Sequence, residues 1–156
     1  FAPWVGEILK DVTINILLVA EKGKEIESIT RLSRVGFDNC IGYLKDGIYS
    51  WVQKGNLVDK INNISPKDFT LLKGDFKTLD VRKKSETKIS SLDNSKKIPL
   101  SDIHLNLDSL NKKDKIYVHC AGGYRSMIAL SILKRNGFNN IVDINKGYKG
   151  IQQCLV

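Results

Sequence analysis

The stretch Lys115-Ile-Tyr-Val-His-Cys-Ala-Gly-Gly-Tyr-Arg-Ser-Met-Ile-Ala-Leu130 constrains this chain more than any other. Its short run of β-branched and aromatic residues reads as a strand, and the nearly all-apolar run after Arg125 reads as a buried helix. Cys120 falls at the turn between them. The thiol therefore sits at the positive end of a helix, with the backbone N–H groups of residues 121 to 126 expected to turn inward around the sulfur. Gly122 and Gly123 are expected to take positive φ and let the backbone approach closely. Arg125 adds a permanent charge with several donors. Such a cradle favours the thiolate near neutral pH, and the thiolate is the nucleophile. A lone free cysteine is more often a buried, inert one. The Gly-Gly pair, the arginine and the helix start together reverse that reading.

The segment Cys120-Ala121-Gly122-Gly123-Tyr124-Arg125-Ser126 resembles the active-site loop of the rhodanese superfamily. Asp80-Val81-Arg82 resembles that family's early strand motif, and Ile98-Pro99-Leu100-Ser101 its second landmark, in the family's order. The resemblance implies an α/β fold with a parallel-sheet core flanked by helices. In it Cys120 takes sulfane sulfur from thiosulfate or a small persulfide, holds it as a persulfide, and passes it to a thiol or cyanide. It further implies a catalytic pair of Cys120 and Arg125 and substrate contacts from Ala121, Gly122, Gly123, Tyr124 and Ser126. Asp80 and Arg82 are implied to support the loop from beneath. The chain departs from the family in lacking a Gly-His-Ile segment before Ile98.

Two other readings stand beside the sulfurtransferase. One is a non-enzymatic sulfur carrier or docking module serving a protein partner. The other is a phosphatase or arsenate reductase of the same superfamily. The spacing bears on the latter, because the loop carries one residue fewer between Cys120 and Arg125 than the phosphatase branch. The smaller anion pocket suits a terminal sulfur better than a phosphoryl group.

An internal repeat appears on shifting the chain by 101 residues: Ala20 meets Ala121, Leu32 meets Leu133, and Arg34-Val-Gly-Phe37 meets Arg135-Asn-Gly-Phe138. After one inserted residue, Gly47 meets Gly147. Residues 1–60 thus read as a partial, catalytically inactive rhodanese-like repeat, and residues 64–156 as the active domain. In this alignment Val19 takes the place of Cys120, Glu21 and Lys22 replace the two glycines, and Lys24 replaces Arg125. Within the first copy, strand 12–19 and an amphipathic helix 22–34 stopped by Gly36 are expected. Residues 55–68 read as a polar linker, with Pro66 opening a helix. Residues 76–81 should form a strand, residues 83–97 an exposed connection, and residues 100–110 a helix capped by Ser101 and Asp102. A helix over 126–136, a strand over 141–144 and a helix over 147–154 complete the pattern.

Composition narrows the partners. The chain has 156 residues, 42% hydrophobic, enough for a packed core, and a net charge of +8 that favours anionic partners, whether small sulfur oxyanions, acidic cofactors or nucleic acid; the family resemblance implies small sulfur-containing anions or low-molecular-weight thiols. The lysines are scattered rather than gathered with aromatics into a stripe, so nucleic acid is not an expected partner. Three cysteines describe neither a disulfide framework nor a zinc site, and no metal or cofactor is expected in this chain. A reducing cytoplasm fits them best. The apolar run Ile14 to Ala20 is too short to span a bilayer, so no membrane role is expected. Cys40 reads as core packing and His119 as a core or sheet-edge histidine, since it faces away from its neighbour on the strand, while Cys154 lies too near the chain end to place and a sulfur relay from Cys120 is its minority reading. The chain begins at Phe1 and its sole methionine is Met127, which suggests a piece of a longer protein. The opening Phe1 to Gly6, the degenerate copy and the cysteine loop together resemble the C-terminal part of a metallo-β-lactamase-fold and rhodanese fusion. That resemblance implies an upstream iron-binding, persulfide-oxidising domain.

Overall fold

The computed structural model describes residues 2–9, 11–74 and 76–155. The chain divides into two units, 1–59 and 60–156. The second unit begins earlier than residue 64, because it takes in a strand hidden in the polar linker.

The first unit contains helix α1 (Ala2–Ile8), strand β1 (Ile16–Leu18), helix α2 (Glu25–Ser33), strand β2 (Cys40–Tyr43) and helix α3 (Gly47–Gln53). Strands β1 and β2 pair in parallel, with Leu17 opposite Gly42 and Leu18 opposite Tyr43. The β-branched stretch 12–19 yields a strand of three residues. At its start Asp11 accepts hydrogen bonds from both the backbone N–H and the hydroxyl of Thr13, a local turn that competes with the ladder. Helix α2 keeps its apolar stripe and buries Leu32, which with Phe37 forms the buried hydrophobic centre of this unit among the described residues. Leu17, Ile41 and Tyr43 on the two strands are exposed.

The second unit is a five-stranded, wholly parallel sheet in the order β3-β7-β6-β4-β5. Its strands are β3 (Asn62–Ile64), β4 (Lys77–Asp80), β5 (Ser95–Lys97), β6 (Ile116–His119) and β7 (Ile141–Ile144), with helices α4 (Pro66–Thr70), α5 (Lys84–Ile89), α6 (Tyr124–Arg135) and α7 (Gly147–Cys154). All four residues of β6 and of β7 are buried, as expected of parallel strands covered on both faces. Helix α4 starts as Pro66 predicts: Ser65 caps it by accepting the Asp68 N–H at 3.1 Å. Phe69, Tyr117, Val142, Ile144 and Ile151 form a core cluster, with Phe69, Phe76 and Tyr117 meeting at ring-centroid distances of 5.3–5.9 Å. Helix α6 packs on β6 and β7 together with a 3₁₀ helix, while α4 packs on α7.

Three expectations are corrected here. Residues 83–97 are no plain connection: they form α5 and the edge strand β5, whose Lys96 and Lys97 are the polar residues an edge tolerates. The polar Asn62-Asn63 segment forms β3 at the opposite edge, paired to Val142 and Asp143. The helix after Pro99 is the 3₁₀ helix Leu100–Ser109, not a capped α-helix. It buries Leu100 and Ile103, three residues apart, the spacing that eclipses side chains in a 3₁₀ helix. Ser101 and Asp102 bond to each other instead of to the helix end.

Candidate active site

The β6-α6 loop is built as its residue types require, but with fewer inward amides than expected. Cys120, directly after β6, is 2% exposed. Its sulfur accepts the Gly123 N–H at 3.1 Å, the single loop amide found within reach of it among the described residues. Gly123 takes φ 112°, a conformation that disfavours any side chain, and ends the loop where α6 begins. Gly122 does not take positive φ, and a Cβ there would meet nothing within 4 Å. The expectation of two strained glycines is thus corrected to one. Ala121 is half-buried, and Tyr124, the first residue of α6, is 80% exposed and stands at the loop's outer side.

Ser126 lies beneath the sulfur. The Cys120 thiol points to Ser126 Oγ at 3.8 Å, and Ser126 Oγ donates to the Gly123 carbonyl at 2.9 Å. A third group joins them, one that sequence reasoning missed. Asp143 on β7 is 4% exposed, its carboxyl is pushed up by burial and partly offset by a hydrogen bond from Ser126, and its Oδ1 has no partner. The available signal was an acid in the otherwise apolar strand Ile141-Val-Asp-Ile144.

Arg125 is not a free cation over the sulfur. It forms a two-pronged pair with Glu86 of α5, Nη1 to Oε2 at 2.5 Å and Nη2 to Oε1 at 2.9 Å. Glu86 also accepts the Lys83 N–H at 3.0 Å, so it caps α5 and anchors Arg125 at once. Arg125 hydrogen-bonding holds its carboxyl down from 4.5 to about 2. Glu86 was hidden inside the supposed connection and was also missed.

Asp80 and Arg82 form a buried pair at 0% and 4% exposure. Arg82 Nε and Nη2 both reach the Asp80 carboxylate, Nη2 also donates to the Ser90 carbonyl, and the guanidinium lies 3.8 Å over the Tyr148 ring. Tyr148 in turn stacks on His119, which is fully buried and kept neutral chiefly by that burial. His119 Nδ1 faces the Cys120 carbonyl at 3.4 Å.

The start of α7 pins the same carbonyls. Tyr148 N–H donates to Cys120 O at 2.7 Å, and Lys149 N–H to Ala121 O at 3.2 Å. Gly147 makes this approach possible, since it takes φ 55° and a Cβ there would strike the Cys120 carbonyl. Of the other thiols, Cys40 is half-buried in the first unit, and Cys154 is exposed at the end of α7. No cluster of three or more His, Cys, Asp or Glu able to hold a metal occurs among the described residues. No described helix is long and apolar enough to cross a membrane.

The model of the rhodanese-like domain matches residues 65–154, which contain the loop and all its supports. The chain belongs to the rhodanese-like domain family. Among curated relatives, the rhodanese-like chain is 31% identical over 71 residues to the "Putative sulfur carrier protein YrkF" of Bacillus subtilis, covering 46% of this chain and 38% of that protein. It is 32% identical over 93 residues to the adenylyltransferase and sulfurtransferase uba4 of Ogataea parapolymorpha, covering 59% and 24%. It therefore spans well under half the length of these two relatives. Among solved structures, the rhodanese-related protein of Thermoplasma volcanium superposes with a TM-score of 0.56 at 32% identity, over 59% of this chain and 91% of that one.

Proposed function

We propose that this rhodanese-like chain is a sulfurtransferase in which Cys120 accepts a sulfane sulfur and passes it on. The observation that carries the reading is the Gly123 N–H placed 3.1 Å from the Cys120 sulfur at the start of α6. A donor amide and the positive end of a helix stabilise an anionic sulfur, whether thiolate or persulfide. In the forward step the Cys120 thiolate attacks the outer sulfur of thiosulfate or of a small persulfide. A new S–S bond forms, the old one breaks, and sulfite or a thiolate leaves with the electron pair. A thiol or cyanide then takes the outer sulfur and returns Cys120 as thiolate.

The Glu86 pair alters the role of Arg125 in this scheme. A guanidinium already neutralised by a carboxylate contributes geometry more than net charge. Donor anions are then held chiefly by the loop backbone, and a persulfide of low charge suits the site better than a dianion. The same observation favours the second reading, a sulfur carrier that loads from and delivers to a bound protein partner. The cytoplasm and an upstream metallo-β-lactamase-fold domain belong to this proposal as well. The free thiols support the former and the sequence resemblance the latter.

The test is the intact mass of wild type and Cys120→Ser after brief incubation with thiosulfate or a small-thiol persulfide, followed by a cyanide chase. One added sulfur on wild type alone, removed by cyanide, is the expected result. A Cys120→Ser variant that still loads and turns over sinks the mechanism. Loading by the persulfide but not by thiosulfate selects the low-charge donor. Loading without turnover of small acceptors selects the carrier.

A further inference from the structure

We propose that the mouth of the Cys120 loop is a docking face for an acidic, extended segment of a partner protein, which brings an acceptor cysteine to the sulfur. The docking stands on charge and shape alone; the cysteine on the segment rests on the sulfur-transfer reading of Cys120.

Three of the carboxylates ranged around the loop are already matched one to one. Asp80 pairs with Arg82 at 2.6 Å, Glu86 with Arg125 at 2.5 Å, and Asp102 with Lys84 at 3.4 Å. Asp143, the fourth, is buried on β7. Three exposed lysines are left over, on two sides of the sulfur. Lys83 precedes α5, and its N–H goes to the same Glu86 that holds Arg125. Lys146 precedes Gly147, which meets the Cys120 carbonyl, and Lys149 bonds the Ala121 carbonyl through its own N–H. The guanidinium of Arg82 lies 3.8 Å over the Tyr148 ring and so joins the α5 side to the α7 side. None of the three lysine side chains has an ion pair among the described residues. At the start of α4, which packs on α7, Lys67 and Asp68 are exposed side by side and cancel. The mouth is thus flanked by uncompensated positive charge.

The shape says what kind of anion fits. Tyr124 and Met127, one turn apart on α6, are 80% and 44% exposed and form an apolar step at the loop's outer side. Apolar side chains of this kind with a charged rim are the usual anatomy of a protein interface, and a small anion has no use for them. Cys120 itself is 2% exposed, so a rounded protein surface does not reach its sulfur. Over the loop there is room for a thinner approach, since a Cβ on Gly122 or Gly123 would meet nothing within 4 Å. An extended segment enters there with an apolar residue on Tyr124 and Met127 and acidic residues toward the lysines. Rim charges then set the encounter and the choice of partner. In the transfer step the acceptor thiol gives its proton to solvent, and its thiolate attacks the outer sulfur of the Cys120 persulfide. A new S–S bond forms on the acceptor, the bond from Cys120 to that sulfur breaks, and Cys120 leaves as thiolate with the electron pair.

The first readout is binding to the full chain without sulfur, so failure of the sulfur-transfer reading leaves it intact. Three peptides of equal length carry a serine in place of the acceptor cysteine, beside a leucine, and are flanked by acidic, neutral or basic residues. Backbone amide shifts report where each binds. The acidic peptide is expected to move the amides of Lys83, Tyr124 and Lys149 and to bind about tenfold tighter than the neutral one, the sum of three exposed charge pairs. That advantage should vanish in about 0.5 M salt. Lys83→Glu combined with Lys149→Glu should invert the order, and Tyr124→Ala should weaken all three peptides. Cysteine forms of the peptides should then take sulfur from the loaded chain in the same order, once each is scaled by its rate with a free small persulfide to remove the effect of the flanking charges on the thiol. Equal binding of the three peptides, an advantage that survives salt, or binding away from those amides overturns the proposal. So does a single-stranded oligothymidylate or a small dicarboxylate thiol that binds at the same amides as tightly as the acidic peptide, which makes the lysines a general anion surface. Binding as expected with no loading of Cys120 supports the docking face and sinks the sulfur-transfer reading instead. Should the double variant give no folded spectrum, the salt dependence and the basic peptide decide on wild type.

Discussion

Glu86→Gln isolates the pair that holds Arg125 in place. The substitution keeps the size of the side chain and an oxygen to accept the Lys83 N–H, and removes the charge that grips the guanidinium at 2.5 and 2.9 Å. Holding a carboxyl from 4.5 down to about 2 corresponds to about 3 kcal/mol between its protonation states. The Glu86 side chain is 33% exposed, and solvent screening leaves about 1–2 kcal/mol of that as folding stability. The sign follows from linkage. The folded value is depressed, so the contribution is complete above the unfolded value of 4.5 and is lost as pH falls toward about 2. Urea unfolding of both proteins should show wild type more stable by that amount near neutrality. The gap should narrow steadily from about pH 4.5 to about pH 3. A gap that is absent at neutral pH, or that stays constant through the acid range, refutes the reasoning.

Three further changes test the supports of the loop. Gly147→Ala, which must hold positive φ with its Cβ against the Cys120 carbonyl, should lower stability by about 2–4 kcal/mol in urea unfolding. Asp80→Asn leaves Arg82 buried with half its partner and should cost about 3–5 kcal/mol, read as a fall in melting temperature. His119 is buried neutral, so the unfolded chain takes up its proton from the ordinary value of 6.5 downward before the folded chain does. Its contribution to stability declines as pH falls through that window, and His119→Asn should flatten this part of the stability profile.

The parts legible in the sequence were those with strong local chemistry. The apolar strand before Cys120, the apolar helix after it and the Pro66 helix start each carry their own signal, and they appear as read. Strands β3 and β5 were illegible because edge strands are polar, and Asn62-Asn63 or Lys96-Lys97 look like loop. The 3₁₀ helix was misread because its apolar spacing of three overlaps that of an α-helix. At the site, the cysteine and its Gly-Arg loop could be read directly. Glu86 and Asp143 could not, since each acts across the fold: Glu86 reaches Arg125 from 39 residues away, and Asp143 meets Ser126 only when β7 packs under α6. Pairings of that kind are tertiary facts with no local pattern.

The backbone of the first unit matches that of the second at several positions around the loop. Asp46 and Lys146 both take positive φ, 58° and 60°, and each is followed by a glycine at positive φ. A Cβ on Gly47 would strike the Ala20 carbonyl, just as one on Gly147 would strike that of Cys120. This joint sets a correspondence of 100 residues at the loop, where the strands pair as 101: Leu17 opposite Gly42 as Val118 is opposite Asp143. Ala20 then stands in the place of Cys120, Gly23 at φ 82° in that of Gly123, and Glu25 in that of Arg125. Either register puts an aliphatic side chain where the nucleophile would be, but the joint's register retains the cradle glycine and reverses the charge beside it. A thiol placed there meets a carboxylate rather than a guanidinium, which opposes thiolate formation. Ala20→Cys in a Cys120→Ser background should therefore gain no sulfur from thiosulfate or a small persulfide by intact mass. Adding Glu25→Arg removes the repelling charge and should permit slow loading at that cysteine. Loading by Ala20→Cys alone, at the wild-type rate of Cys120, would show that the strand-loop-helix backbone suffices and that the charge beside the thiol does not decide its reactivity.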